Sequence, residues 1–199
     1  MRILVEGARG TIGKAVTTLF RNHGHTVIEV GRSDGEILCD ISDETQLESL
    51  WQQAGHIDAV VCASGTTPFA PLGELTSADF NNAWQDKALS QISLVRTGIN
   101  HISERGSFTL TSRILSRDPI LKGSAAAAAN GALEAFTRAA AIEIAPRRVN
   151  IVSPPVVAES LEAYDEFFPG FPAVKTADVA NAFRKSVEGG ATGTVITLP

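Results

Sequence analysis

Tyrosine is nearly absent. Tyr164 is the one phenol in 199 residues, so a proton transfer that needs a tyrosine hydroxyl has a single candidate. Cysteine is almost as scarce. Cys39 and Cys62 lie far apart, without disulfide or metal-ligand spacing, and read as small buried hydrophobes. His23 and His25 flank Gly24 and read as a solvated turn, so no metal site is expected. No apolar run approaches the roughly 18 residues of a membrane-spanning helix. Residues 1–7, MRILVEG, read as a strand and not as a leader with a charged start and a long apolar stretch, so a cytoplasmic location is expected. An excess of positive charge is missing as well: 17 Lys and Arg stand against 22 Asp and Glu, a net charge of −5. That balance speaks against a nucleic-acid or anionic-membrane partner, which needs clustered cations.

What is present is alternation. Short apolar runs at 2–7, 25–31, 36–41, 58–64, 106–112, 148–154 and 192–198 read as strands. Longer amphipathic runs at 11–24, 43–54, 76–101, 124–144 and 176–187 read as helices between them. Thr76 and Asp79 have the spacing of a capping box, and Thr176 reads as a helix cap. Repeated β–α–β units imply an α/β fold: a doubly wound parallel sheet of about seven strands with helices on both faces, of Rossmann type. No low-complexity linker divides residues 1–199, so one domain is expected. Residues 155–175, with Pro155, Pro169, Gly170 and Pro172, read as a loop-rich excursion over a substrate.

Between the first strand and the first helix stands GARGTIG, with Gly7, Arg9, Gly10, Thr11, Ile12 and Gly13. Glycines there let the backbone turn sharply and approach a pyrophosphate, while the helix N-terminus offers N–H groups and partial positive charge. The second strand ends in Gly31, Arg32 and Ser33, where an NAD-binding chain would carry an acid. A guanidinium and a hydroxyl suit the extra phosphate of NADP, with Arg9 as a possible helper. The alternative is that Arg32 is a solvated loop residue.

Taken together, these features make the sequence resemble a short-chain dehydrogenase/reductase over nearly its whole length. Gly7, Gly10 and Gly13 match that family's glycine loop in GxxGxxG spacing. Asp40-Ile41 matches its acidic-aliphatic pair at the adenine, and Ala63-Ser64-Gly65 stands where many members carry Asn-Ala-Gly. Ser112 matches the serine that holds the substrate carbonyl, and NGALEAF (130–136) resembles the helix stretch after the catalytic lysine. RVNIVSP (148–154) is similar to the sixth strand, whose end contacts the nicotinamide. The resemblance implies NADP(H), a small-molecule substrate, and a homodimer or homotetramer built on the fourth and fifth helices.

The resemblance also exposes a gap. Aligned on NGALEAF, the family's catalytic tyrosine and lysine fall at Ala126 and Asn130. The family's structural asparagine on the fourth helix aligns with Lys87, and Pro155 replaces a glycine. A positioned acid or base is worth roughly 10²–10⁴ in rate, so a substitute is needed if the chain turns over. Lys87 is the candidate, because burial brings a lysine pKa toward neutrality. Its alternative role is a surface lysine paired with Asp86. Ser112 is either a substrate contact or a strand-end hydroxyl bonded to backbone. Two readings follow: an NADP(H)-dependent oxidoreductase acting on a small carbonyl or alcohol with a non-standard proton donor, or a non-catalytic NADP(H)-binding sensor.

Overall fold

Runs rich in Ile, Val and Leu have little use for water on either side, and here they lie side by side in the middle layer of three. The computed structural model describes residues 1–198, with the side chains of 163–165 excepted. The described residues form a seven-stranded sheet in the order β3-β2-β1-β4-β5-β6-β7. The strands are β1 (Arg2–Glu6), β2 (Thr26–Gly31), β3 (Ile37–Leu38), β4 (Ile57–Cys62), β5 (Ile102–Thr111), β6 (Arg148–Ser153) and β7 (Val195–Thr197). Every pairing is parallel.

Alternate residues of a strand face opposite ways, and β1 shows it. Ile3 and Val5 pack with Val16 and Phe20 of α1 (Thr11–Asn22) and with Val179 and Phe183 of α7 (Thr176–Glu188). Leu4 packs on the other face with Leu47 and Trp51 of α2 (Glu44–Ala54), Leu94 of α4 (Ser90–Gly98) and Leu133 of α5 (Ser124–Glu143). Fully burying such a side chain stabilises the fold by roughly 1.5–3 kcal/mol. β1 pairs with β2 on one side and β4 on the other, so the connections from its two halves diverge. A crevice opens at the carboxyl ends of β1 and β4, where doubly wound sheets bind ligands.

Several local expectations change. The helix expected at 76–101 is α3 (Ser77–Ala83), a π-helical turn (Trp84–Leu89) and α4. Its capping box forms: the Asp79 amide donates to Thr76 Oγ1 at 3.3 Å, and the Thr76 amide donates to Asp79 Oδ2 at 2.8 Å. Residues 155–175 are not structureless. They hold a 3₁₀ turn at Ala158–Ser160, the short α6 (Leu161–Tyr164) and another 3₁₀ turn at Asp165–Phe167. The side chain of Tyr164 lies outside the described residues. Thr176 does not cap α7. Lys175 holds the cap position, and Thr176 instead donates its hydroxyl to Glu159 Oε1 at 2.7 Å.

Candidate functional site

The glycine loop curls tightly for a readable reason. Gly7 has φ +72°, and a Cβ on Gly13 would stand 1.9 Å from the Gly7 carbonyl oxygen. Only glycine at 13 lets α1 start this close to β1. Gly10 caps α1 in extended conformation with no side-chain acceptor, so the first-turn amides keep their donors for another group. A cleft of about 300 Å³ opens there. Gly7, Arg9 and Gly10 form one wall, Arg32 and Ser33 after β2 a second, Asp40 and Ile41 a third, and Ser64 and Gly65 after β4 the last.

Four of the expected contacts do not line this cleft. Ile12 is buried in the core under α1, and Gly13 is buried against Gly7. Thr11 is exposed on the side of α1 away from the cleft, beside Lys14 and Thr176. Ala63 lies beneath Gly7, whose Cβ would meet the Ala63 backbone at 3.1 Å. These residues shape the floor of the loop. Arg9 does face the cleft, but its Nε donates to Glu29 Oε2 at 3.1 Å. Arg32 is 71% exposed, with Asp40 Oδ2 at 3.8 Å.

Glu6 went unnoticed in the sequence. It ends β1 and lines the cleft, yet the residue is 5% exposed. Ser64 Oγ and Cys62 Sγ both donate to its Oε2, the thiol at 3.0 Å. Burial pushes its carboxyl above the usual carboxylate range despite those bonds. Cys62 is therefore buried as expected but is also a donor. The available signal was a single acid closing an otherwise apolar strand.

Gly65 and Thr66 also line a second, inner cavity of about 150 Å³, so the two spaces meet. Lys87 reaches it from the π-helical turn and is 4% exposed. Its Nζ donates to the Ser64 carbonyl at 3.2 Å. Burial, helped by the charge of Arg113, lowers its pKa to about 7. Gln91 fixes the turn: its Nε2 donates to the carbonyls of Lys87 at 3.1 Å and Thr111 at 3.0 Å, and its Oε1 accepts from the Thr111 amide. Lys87 is thus a buried cavity group rather than a surface lysine paired with Asp86.

Ser112 is the main correction. It is fully buried and does not line the cavity. Its Oγ donates to Glu134 Oε1 at 2.9 Å, and that oxygen also accepts from Ser116, Arg117 and Ser153. Successive residues at a strand end point opposite ways, so its neighbour Arg113 turns into the cavity instead. Ala126 and Asn130, one helical turn apart on α5, line the opposite wall. Asn130 Oδ1 is buried there with no hydrogen-bond partner in the structure.

A family model described as enoyl-(acyl carrier protein) reductase matches residues 7–189, nearly all of the chain. The chain belongs to the short-chain dehydrogenase/reductase family. It is 30% identical over 149 residues to a hydroxynaphthalene reductase of Aspergillus fumigatus, covering 67% of this chain and 55% of that one. The chain spans only about half to two thirds of the length of the curated relatives it matches first. A Listeria innocua protein, lin1944, is 42% identical, with a TM-score of 0.97 and full coverage of both chains. A small-chain dehydrogenase solved with NADPH is 26% identical, with a TM-score of 0.88, covering 100% of this chain and 96% of that one. Short-chain dehydrogenases of this family are oxidoreductases that use a nicotinamide cofactor, and the sheet order and glycine loop described above belong to that fold. No described helix is long and apolar enough to cross a membrane.

Proposed function

We propose that the chain is an NADP(H)-dependent oxidoreductase acting on a small carbonyl or alcohol, with Lys87 in place of the usual proton donor. The observation that carries this reading is the meeting of the two cavities at Gly65 and Thr66, with the buried Lys87 ammonium beside the junction. The residues present suit the cofactor. Gly7, Gly10 and the N-terminus of α1 would hold the pyrophosphate, Arg32 and Ser33 the adenosine phosphate, and Asp40 and Ile41 the adenine. A bound nicotinamide supplies or accepts hydride; the protein supplies orientation and a proton. In the reducing direction Lys87 gives its Nζ proton to the carbonyl oxygen as hydride reaches the carbonyl carbon, leaving an alcohol and a neutral amine that water reprotonates. A lysine with pKa near 7 is poised for that exchange.

A second reading, a non-catalytic NADP(H) sensor, is favoured by one feature. Ala126 and Asn130 bring neither a phenol nor an ammonium to the cavity wall. Calorimetric titration with NADPH, NADP⁺, NADH and NAD⁺, then a carbonyl screen with the tightest, tests both. Tight NADPH binding with turnover that Lys87→Met abolishes supports the enzyme. Tight binding without turnover on any carbonyl supports the sensor. No dinucleotide binding removes both.

A further inference from the structure

Lys87 and Arg113 both line the inner cavity, and among the described residues lining it there is no carboxylate. We infer that this cavity takes a small organic anion, a carboxylate on an apolar body, seated between these two cations. The inference deepens the reading above and rests on it for the cavity's role as the substrate site.

The shape supports it. The volume is about 150 Å³, and an engineered apolar cavity of about that size holds a benzene ring. One wall is apolar: Leu115, Ala126, Val156 and Phe168 pack as a single cluster, with Phe69 against it. The charged side can bind an anion. Lys87 Nζ carries three N–H groups, and its hydrogen bond to the Ser64 carbonyl uses one. Arg113 Nη1 donates to the Pro155 carbonyl at 3.5 Å, and the planar guanidinium fork matches a carboxylate. The unpartnered Asn130 Oδ1 is an acceptor, suited to a hydroxyl on the same ligand. A neutral occupant would leave both charges desolvated and unbalanced, which is costly.

Binding has a second signature. The charged groups facing Lys87 are Arg113, after β5, and Glu6 and Cys62, at the ends of β1 and β4. Glu6 is engaged by Ser64 and Cys62. Arg113 disfavours the ammonium, so above neutral pH part of Lys87 is neutral. An anion between the two reverses this and draws a proton onto Nζ.

The test is calorimetry on the full chain at about pH 8, in two buffers of different ionisation heat, with and without saturating NADP⁺. The probes are benzoate against benzamide, and isobutyrate against isobutyramide. We expect each acid to bind at least about tenfold more tightly than its amide, with proton uptake. Arg113→Met and Lys87→Met should each bring the acids down to the level of the amides. Unchanged amide binding shows that the variants fold, and Arg113→Lys should recover part of the preference. Equal affinity for acid and amide, no binding of any probe, or a preference that survives both methionine variants overturns the inference. An NADP⁺ heat without acid preference removes this inference and leaves the cofactor reading. Acid preference without an NADP⁺ heat does the reverse.

Discussion

A Cβ at Gly65 would stand 2.6 Å from Cδ of Lys87, so the glycine and the lysine stem compete for one volume. Gly65 also has φ +107°, a region that side chains avoid. Gly65→Ala should therefore strain the turn after β4 and push the lysine off the Ser64 carbonyl. We expect a loss of roughly 1–3 kcal/mol in urea unfolding, together with weaker NADPH binding. An alanine variant with unchanged stability and binding would show that the lysine does not depend on this space.

Ser112 serves the fold through Glu134. Ser112→Ala should cost about 1 kcal/mol and spare dinucleotide binding, whereas Glu134→Ala, which orphans several donors including Arg117, should cost about 3 kcal/mol. Burial raises the Glu134 pKa, but the hydrogen bonds from Ser116, Ser112, Arg117 and Ser153 outweigh it and leave the group below 4.5. A depressed carboxylate contributes stability that is present above the unfolded value and lost as pH falls through the folded one. The wild-type advantage over Glu134→Gln should thus shrink as pH drops below about 4.5. Denaturant midpoints across that range check it, and a constant difference would reject the carboxylate as the node.

Arg32 stands 71% exposed at the cleft, as a residue waiting for a phosphate would. NADPH should bind more tightly than NADH by about tenfold or more, the worth of a charge-assisted bond of roughly 1.5–3 kcal/mol. Arg32→Ala should remove most of that preference, and high salt should shrink it. Equal affinities for the two cofactors in the unmodified chain would discard Arg32 as the selector.

An assembly is expected from the α4–α5 side. Phe80 and Trp84 are exposed one helical turn apart, and Ile142 on α5 is 82% exposed beside the small residues of that helix. A two-fold dimer would cover such a surface. Sedimentation at micromolar concentration should give a dimer or tetramer, and Trp84→Glu with Ile142→Glu should shift it to monomer. A wild-type monomer there would refute the expectation.

The parts that could be read in advance were those where backbone geometry dictates residue type. Gly7 and Gly13 must be glycine for α1 to pack on β1, and the apolar runs of β1 and β4 must be buried. What stayed hidden depends on rotation by one residue or on burial of a charge. Ser112 and Arg113 are adjacent, and only the register of β5 against β6 decides which one enters the cavity. Lys87 owes its burial to a π-helical turn held by Gln91 from four residues away, which no periodicity of α3 and α4 foretells. Glu6 is silent until Ser64 and Cys62 close on it.

The most direct test of Lys87 is its own titration, followed by NMR on ¹³Cε-labelled lysine and assigned with Lys87→Arg. The account predicts a midpoint near 7 in the free protein, moving when NADPH is added because the ammonium lies beside the junction of the two cavities. A midpoint near the ordinary 10.5, unmoved by NADPH, would contradict it.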